Sequence, residues 1–188
     1  YDYDALLTEC GDITPKYYAV RKVIEKYVDH PLPNVPANRP KKAYGKFLLT
    51  EKAGLFANLN KLSSPIKSEV PRCMEKYGIG YGYIAYQTVL NREYVDAGLS
   101  LESLGDRAQV YINKELVGIL YINENLDIKI NANKGDTLTI LCENMGRANF
   151  GPKMMRKKGI AGRCLLDGKI HFNWEVYPYE KELVHPRA

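Results

Sequence analysis

The chain has 188 residues, 45% hydrophobic and 26% charged, with a formal net charge of +5. That balance is ordinary for a soluble globular protein, and the length allows one or two small domains with a real core. No apolar run approaches the ~20 residues that a membrane-spanning helix needs, so no membrane partner is expected. Cys10, Cys73, Cys142 and Cys164 are scattered without a C-x-x-C pair, and there are only three histidines. A zinc site is therefore not expected, and neither is any other metal or cofactor. Unpaired cysteines fit a reducing compartment better than a disulfide scaffold, which points to the cytoplasm. The chain starts at Tyr1 rather than Met and reads as a piece cut from something longer.

Tyr1 to Ala5 is short, β-prone and polar on alternate sides. Thr14-Pro15 then opens a helix, with Thr14 as N-cap and Pro15 at the first helical position. Tyr17, Val20, Ile24, Tyr27 and Val28 give it an apolar stripe, so a helix over 15–28 is predicted. A strand and one helix are half of a βα unit and cannot bury that stripe alone. The stripe is expected to pack against the rest of the chain or against a second copy. Pro31, Pro33, Pro36 and Pro40 follow and mark a linker over residues 30–42. From Ala43 onward turn residues recur at the spacing of an all-β sandwich.

Within that region Gly80-Tyr81-Gly82-Tyr83 predicts a bulge or a close backbone approach. Residues 106–144 alternate clearly. Ala108, Val110 and Ile112 face one way, and Arg107, Gln109 and Tyr111 the other. Asn113-Lys114 breaks the run and Val117–Ile122 resumes it, which predicts a hairpin. Leu126, Ile128 and Ile130 then alternate with Asp127, Lys129 and Asn131. After the turn Lys134-Gly135-Asp136, Leu138, Ile140 and Cys142 alternate with Thr137, Thr139 and Leu141. Val110, Ile112, Ile140 and Cys142 are expected inside, and Arg107, Gln109 and Lys129 outside. Trp174 is expected in the core with its indole N–H satisfied, or alternatively as a sugar-stacking platform.

The run Glu143-Asn144-Met145-Gly146-Arg147 ends the last of these strands at a sheet rim. It reads either as a structural turn in which Arg147 pairs with Glu143, or as a loop that meets another domain or a ligand. Lys153, Arg156, Lys157, Lys158 and Arg163 form a basic cluster. No recognition helix or aromatic platform accompanies it, so a solvated loop is favoured and no nucleic-acid partner is expected.

Three blocks carry a family resemblance: Asp106-Arg107-Ala108-Gln109-Val110-Tyr111-Ile112-Asn113, Glu143-Asn144-Met145-Gly146-Arg147-Ala148-Asn149-Phe150-Gly151-Pro152 with Lys158-Gly159-Ile160, and Tyr81–Thr88. Together with Trp174-Glu175-Val176-Tyr177-Pro178, they resemble the first all-β module of family 35 β-galactosidases. The resemblance implies a mainly β fold, a jelly-roll-like, galactose-binding-domain-like sandwich preceded by one helix left over from a (β/α)8 catalytic barrel. It implies four segments: residues 1–29 as the trailing βα unit of the barrel, 30–42 as the linker, 43–179 as the sandwich, and 180–188 as a tail or the start of a following module. This chain has Leu6 where the family has Pro, Phe150 where it has Tyr, and Lys114 where it often has Gly.

The resemblance further implies a parent enzyme that hydrolyses terminal non-reducing β-D-galactosyl residues. Retaining glycosidases need two carboxylates ~5–5.5 Å apart. The family carries both upstream of the region resembling Tyr1, so no catalytic residue is expected here and the chain alone should be inactive. Tyr3 is the one substrate-binding residue the resemblance assigns. Arg147, Asn149 and Phe150 are assigned to an entrance loop facing the barrel. The implied partners are the missing barrel and its β-galactoside. A stand-alone carbohydrate-binding, lectin-like module is the alternative from another functional class.

Overall fold

The structure, a computed structural model, describes residues 4–179. They divide into two compact units, at residues 4–51 and 52–179.

The first unit contains helix α1 (Pro15–Ile24). Thr14 caps it as predicted, its hydroxyl accepting from the Tyr17 amide at 3.4 Å and donating to the Leu6 carbonyl at 2.8 Å. The helix ends earlier than the stripe suggests. The amides of Lys26 and Tyr27 bond three residues back, to Val23 and Ile24, tightening the chain into a turn that leaves Tyr27 83% exposed. No residue of α1 is buried. A hollow of ≈ 360 Å³ brings Tyr17, Val20 and Ile24 together with Leu6, Leu32 and Pro33. Arg21 donates to the Leu32 carbonyl at 3.2 Å, and the Ile13 amide to Asn38 at 3.1 Å. The stripe thus meets the proline-rich segment that follows it. Most of the predicted strand at residues 1–5, with Tyr3, lies outside the described residues.

The second unit is the sandwich, and among its described residues no strand precedes Ile66. It begins instead with helix α2 (Leu55–Leu62), which alternation analysis misses. Leu55, Phe56, Leu59 and Leu62 recur at helical spacing, and that is the signal that could have found it. Strands follow as β1 (Ile66–Ser68), β2 (Gly82–Val89), β3 (Tyr94–Leu101), β4 (Leu104–Gly105), β5 (Arg107–Ile112) and β6 (Glu115–Tyr121). The remainder are β7 (Asp127–Ala132), β8 (Thr137–Asn144), β9 (Gly159–Ile160), β10 (Cys164–Leu166), β11 (Lys169–Ile170) and β12 (Trp174–Tyr179). One sheet runs β1-β12-β2-β8-β5-β6, the other β11-β10-β3-β7, and β4 pairs with β9. All pairings are antiparallel. The chain changes sheets at the predicted turn Lys134-Gly135-Asp136, since β7 and β8 belong to different sheets.

The core lies between the two sheets. Val110, Ile140 and Cys142 are fully buried and Ile112 nearly so, as the period-two pattern requires. Lys129 is exposed, while Arg107 and Gln109 are half-buried. The outer side of β8 departs from the pattern, because Thr139 and Leu141 are buried too. Leu141 packs with Leu59, Ala85 and Tyr177 in a second apolar cluster, so α2 and the flank of β12 cover part of what alternation assigns to solvent. Trp174 is 1% exposed, and its indole N–H donates to the His171 carbonyl at 2.9 Å. It is a core residue and offers no platform to a sugar. All four cysteines are free thiols, and burial pushes the Cys164 thiol up to about 12, which suppresses thiolate chemistry there.

The β5–β6 hairpin keeps a two-residue turn despite Lys114. Both Asn113 and Lys114 take positive φ, 48° and 75°, the signature of a type I′ turn. Asn113 supports it by donating to Asp136 and accepting from the Thr137 amide, at 2.8 and 2.9 Å. Lys114, with a Cβ, is held in a conformation that glycine adopts at no steric cost. Lys114→Gly should therefore stabilise the unit by about 0.5–1 kcal/mol, read as a higher urea midpoint at unchanged slope. A lower midpoint would show that the lysine side chain holds the turn.

Candidate functional site

One rim of the sandwich collects the polar residues singled out by the sequence. It is built from the start of β2, the 3-10 turn Met74–Tyr77, the approach to β5 and the long connection from β8 to β9. The connection has no strand or helix of its own, so its position depends on side-chain anchors.

The first anchor is a buried ion pair. Lys158 Nζ meets Asp106 Oδ2 at 2.6 Å, with the side chains 6% and 12% exposed. The same ammonium donates to the Gly146 carbonyl, and the same carboxylate oxygen accepts from the Met145 amide at 3.0 Å. Two ends of the connection, 12 residues apart in sequence at Gly146 and Lys158, are thereby tied to one point beside β5. Lys158 is not part of a solvated basic loop, contrary to the expectation from its neighbours. It lies inside because Gly159-Ile160 adds strand β9 against β4 and carries it under the rim. Gly159 has a positive φ of 73°, and a Cβ there would stand 2.5 Å from the Tyr86 hydroxyl. That hydroxyl is occupied, donating to the Arg72 carbonyl at 2.7 Å and accepting from the Ile160 amide at 3.2 Å.

The second anchor is Arg147. Its guanidinium donates to Glu75 Oε1 at 2.9 Å and to the Gly80 carbonyl at 3.0 Å. Glu75 also accepts from the Lys158 amide at 3.1 Å. Burial raises the Glu75 carboxyl, but backbone hydrogen bonds and Arg147 outweigh it and hold the group below its ordinary range. The pairing of Arg147 with Glu143 does not form. Glu143 is opposite Arg107 in the β5–β8 register and binds it at 3.1 Å, while its other oxygen accepts from Tyr83 at 3.1 Å. That hydrogen bond, with burial, raises the Tyr83 phenol. Asn144 adds a third tie, donating to the Gly80 carbonyl at 2.9 Å and accepting from the Gly146 amide at 3.0 Å.

The entrance-loop residues therefore divide. Arg147 turns back into the module and sets the loop's position. Asn149 and Phe150 are exposed, Phe150 at 89%. Met155 is 82% exposed, and Met145 and Met154 are about half exposed. Of the basic cluster, Arg163 is bound to Glu102, its Nε donating at 2.7 Å, and Lys158 is internal. Lys153, Arg156 and Lys157 remain on the loop. Sequence reasoning missed Glu75, Asp106 and Lys158 as a working set, since no spacing rule links residues so far apart.

A larger groove, ≈ 650 Å³, runs beside α2 on the outer face of the six-stranded sheet. Leu55, Leu62 and Leu141 make its apolar walls, and Tyr81, Tyr83 and Tyr179 bring phenols to it. Burial, and then Tyr177, push the Tyr179 phenol up to about 12. Among the described residues no group of His, Cys, Asp and Glu is placed to hold a metal ion, and no helix is long and apolar enough to cross a membrane.

Residues 71–180 match the family described as "Beta-galactosidase, first all-beta domain". The chain is 37% identical over 187 residues to a protein named beta-galactosidase from Bos taurus, an alignment covering 97% of this chain and 29% of that protein. It is equally similar to the beta-galactosidase of Homo sapiens, over 97% of this chain and 28% of the relative. To beta-galactosidase 1 of Dictyostelium discoideum it is 34% identical, over 95% of this chain and 30% of the relative. The chain thus spans less than a third of the length of these relatives. It belongs to the β-galactosidase family, through that family's first all-β domain.

Proposed function

We propose that this chain is the non-catalytic β portion of an enzyme that hydrolyses terminal non-reducing β-D-galactosyl residues. In that reading the sandwich supports the catalytic barrel and its rim forms one wall of the active-site entrance. The supporting observation is how the rim uses its charges. Asp106, Glu75 and Glu143 are each committed to a cation of the same module, so none is left to act as acid or nucleophile. Among the groups the rim turns outward are Phe150 and Met155, side-chain types that suit contact with a neighbouring domain. Tyr3 is the residue proposed to meet the galactoside, with the barrel supplying the rest of the pocket. The four free thiols support a reducing, cytoplasmic location. Association of two copies through residues 15–28 is a further part of this reading, supported by the incomplete burial of α1.

The purified chain should release no nitrophenol from a chromogenic β-galactoside above the rate of a blank, because a retaining site needs two carboxylates ~5–5.5 Å apart on a shared substrate. Turnover that co-purifies with the chain through successive columns would overturn the proposal.

The groove beside α2 favours a second reading, a lectin-like module. Tyr81 and Tyr83 are 54% and 44% exposed there, and aromatic faces with a few convergent polar groups are what small-molecule sites use. Titration of the chain with methyl β-galactoside separates the two. Saturable amide shifts confined to the groove would favour the lectin, and their absence the supporting role.

A further inference from the structure

The rim holds a small pocket of ≈ 210 Å³ beside the Lys158–Asp106 pair, with Lys153, Arg156, Met145, Ala148 and Tyr121 on its walls. The two ionic groups at its floor, Lys158 and Asp106, neutralise each other. Lys153 and Arg156 have no acidic partner among the described residues. Arg156 is half-buried, so it is partly withdrawn from water with no acceptor for its fork of N–H groups. A guanidinium in that position is poised for a planar, two-oxygen acceptor. The floor carboxylate makes a singly charged acceptor cheaper to admit than a dianion. The same connection, between Gly146 and Lys158, also carries the exposed apolar side chains Phe150 and Met155.

We propose that this pocket receives the carboxylate of an acidic side chain carried on an apolar stretch of a neighbouring polypeptide. Arg156 grips the two carboxylate oxygens, Lys153 supplies the second positive charge, and Phe150 and Met155 cover the apolar flanks. Aromatic, methionine and arginine side chains are types enriched where protein surfaces meet. A fully desolvated charge pair ringed by such contacts is how binding energy concentrates at an interface. The inference rests on the rim being a domain-facing surface. It makes no use of galactosidase activity, so its test and the hydrolysis test fail separately.

The test uses the full chain and the peptide acetyl-Leu-Glu-Leu-amide, followed by amide NMR. Saturable shifts over residues 145–158 are expected, with no comparable response to acetyl-Leu-Gln-Leu-amide. Arg156→Met should weaken the glutamate peptide by about tenfold, the loss of one charge-assisted contact, and leave the thermal midpoint unchanged. Equal binding of the glutamine peptide would overturn the proposal by showing an apolar site alone. Tighter binding of inorganic phosphate than of the glutamate peptide would overturn it in favour of a dianion site. Shifts that do not saturate, or that saturate with undiminished affinity in Arg156→Met, would overturn it as well.

Discussion

Replacing Asp106 with alanine should cost the sandwich about 3–5 kcal/mol, because it leaves the Lys158 ammonium buried without a counter-charge. The pair is 2.6 Å apart with both side chains almost wholly enclosed, so solvent screening offers little relief. The Gly146 carbonyl would remain as an acceptor for the ammonium, but a neutral oxygen does not balance the charge. The same substitution removes the acceptor of the Met145 amide, so the rim connection should loosen as the unit loses stability. A urea melt reads the first effect and hydrogen exchange at Met145 and Gly146 the second. Lys158→Met in the Asp106→Ala background should recover much of the loss, since removing both charges also removes the desolvation cost. A loss below about 1 kcal/mol in the single variant, within the range of exposed pairs, would show that water reaches the lysine.

Trp174→Ala should be comparably damaging, about 3–5 kcal/mol, the usual cost of emptying a large buried aromatic site. Trp174 is 1% exposed and sits edge-on to His171 at 5.6 Å. Its removal also leaves the His171 carbonyl without its indole donor. The melt should be followed by circular dichroism, because the variant lacks the only tryptophan of the chain. A change within about 1 kcal/mol would mean that the surrounding strands collapse into the space.

Both substitutions concern residues whose setting was unevenly legible in the sequence. Trp174 was expected in the core with a satisfied N–H, and so it is. Asp106 stands in the sequence as the start of an alternating block, and nothing there marks Lys158 as its partner. The entrance loop shows the same contrast. Its existence at the end of β8 follows from the Asn-Met-Gly break in a clean alternation. Its partners do not, because Glu143 could face either Arg147, four residues on, or Arg107, thirty-six residues back. The β5–β8 register selects Arg107.

Local chemistry alone determined the strands over residues 107–144, the inward set Val110, Ile112, Ile140 and Cys142, the Thr14 cap and a hairpin at Asn113-Lys114, though not its two-residue length. These depend on side-chain alternation and turn geometry, which act over a few residues and are written in the chain. Family membership was legible for a related reason, since the rim and strand blocks keep their residues in order. The tertiary structure alone decided which sheet each strand joins, the covering of Leu141 by α2 and the flank of β12, and the burial of Lys158 against Asp106. Those outcomes depend on strand registers and contacts between residues tens of positions apart. A lysine flanked by Lys157 and Gly159 looks solvated in sequence. It is enclosed because β9 pairs with β4 and draws it under the rim to the Asp106 carboxylate.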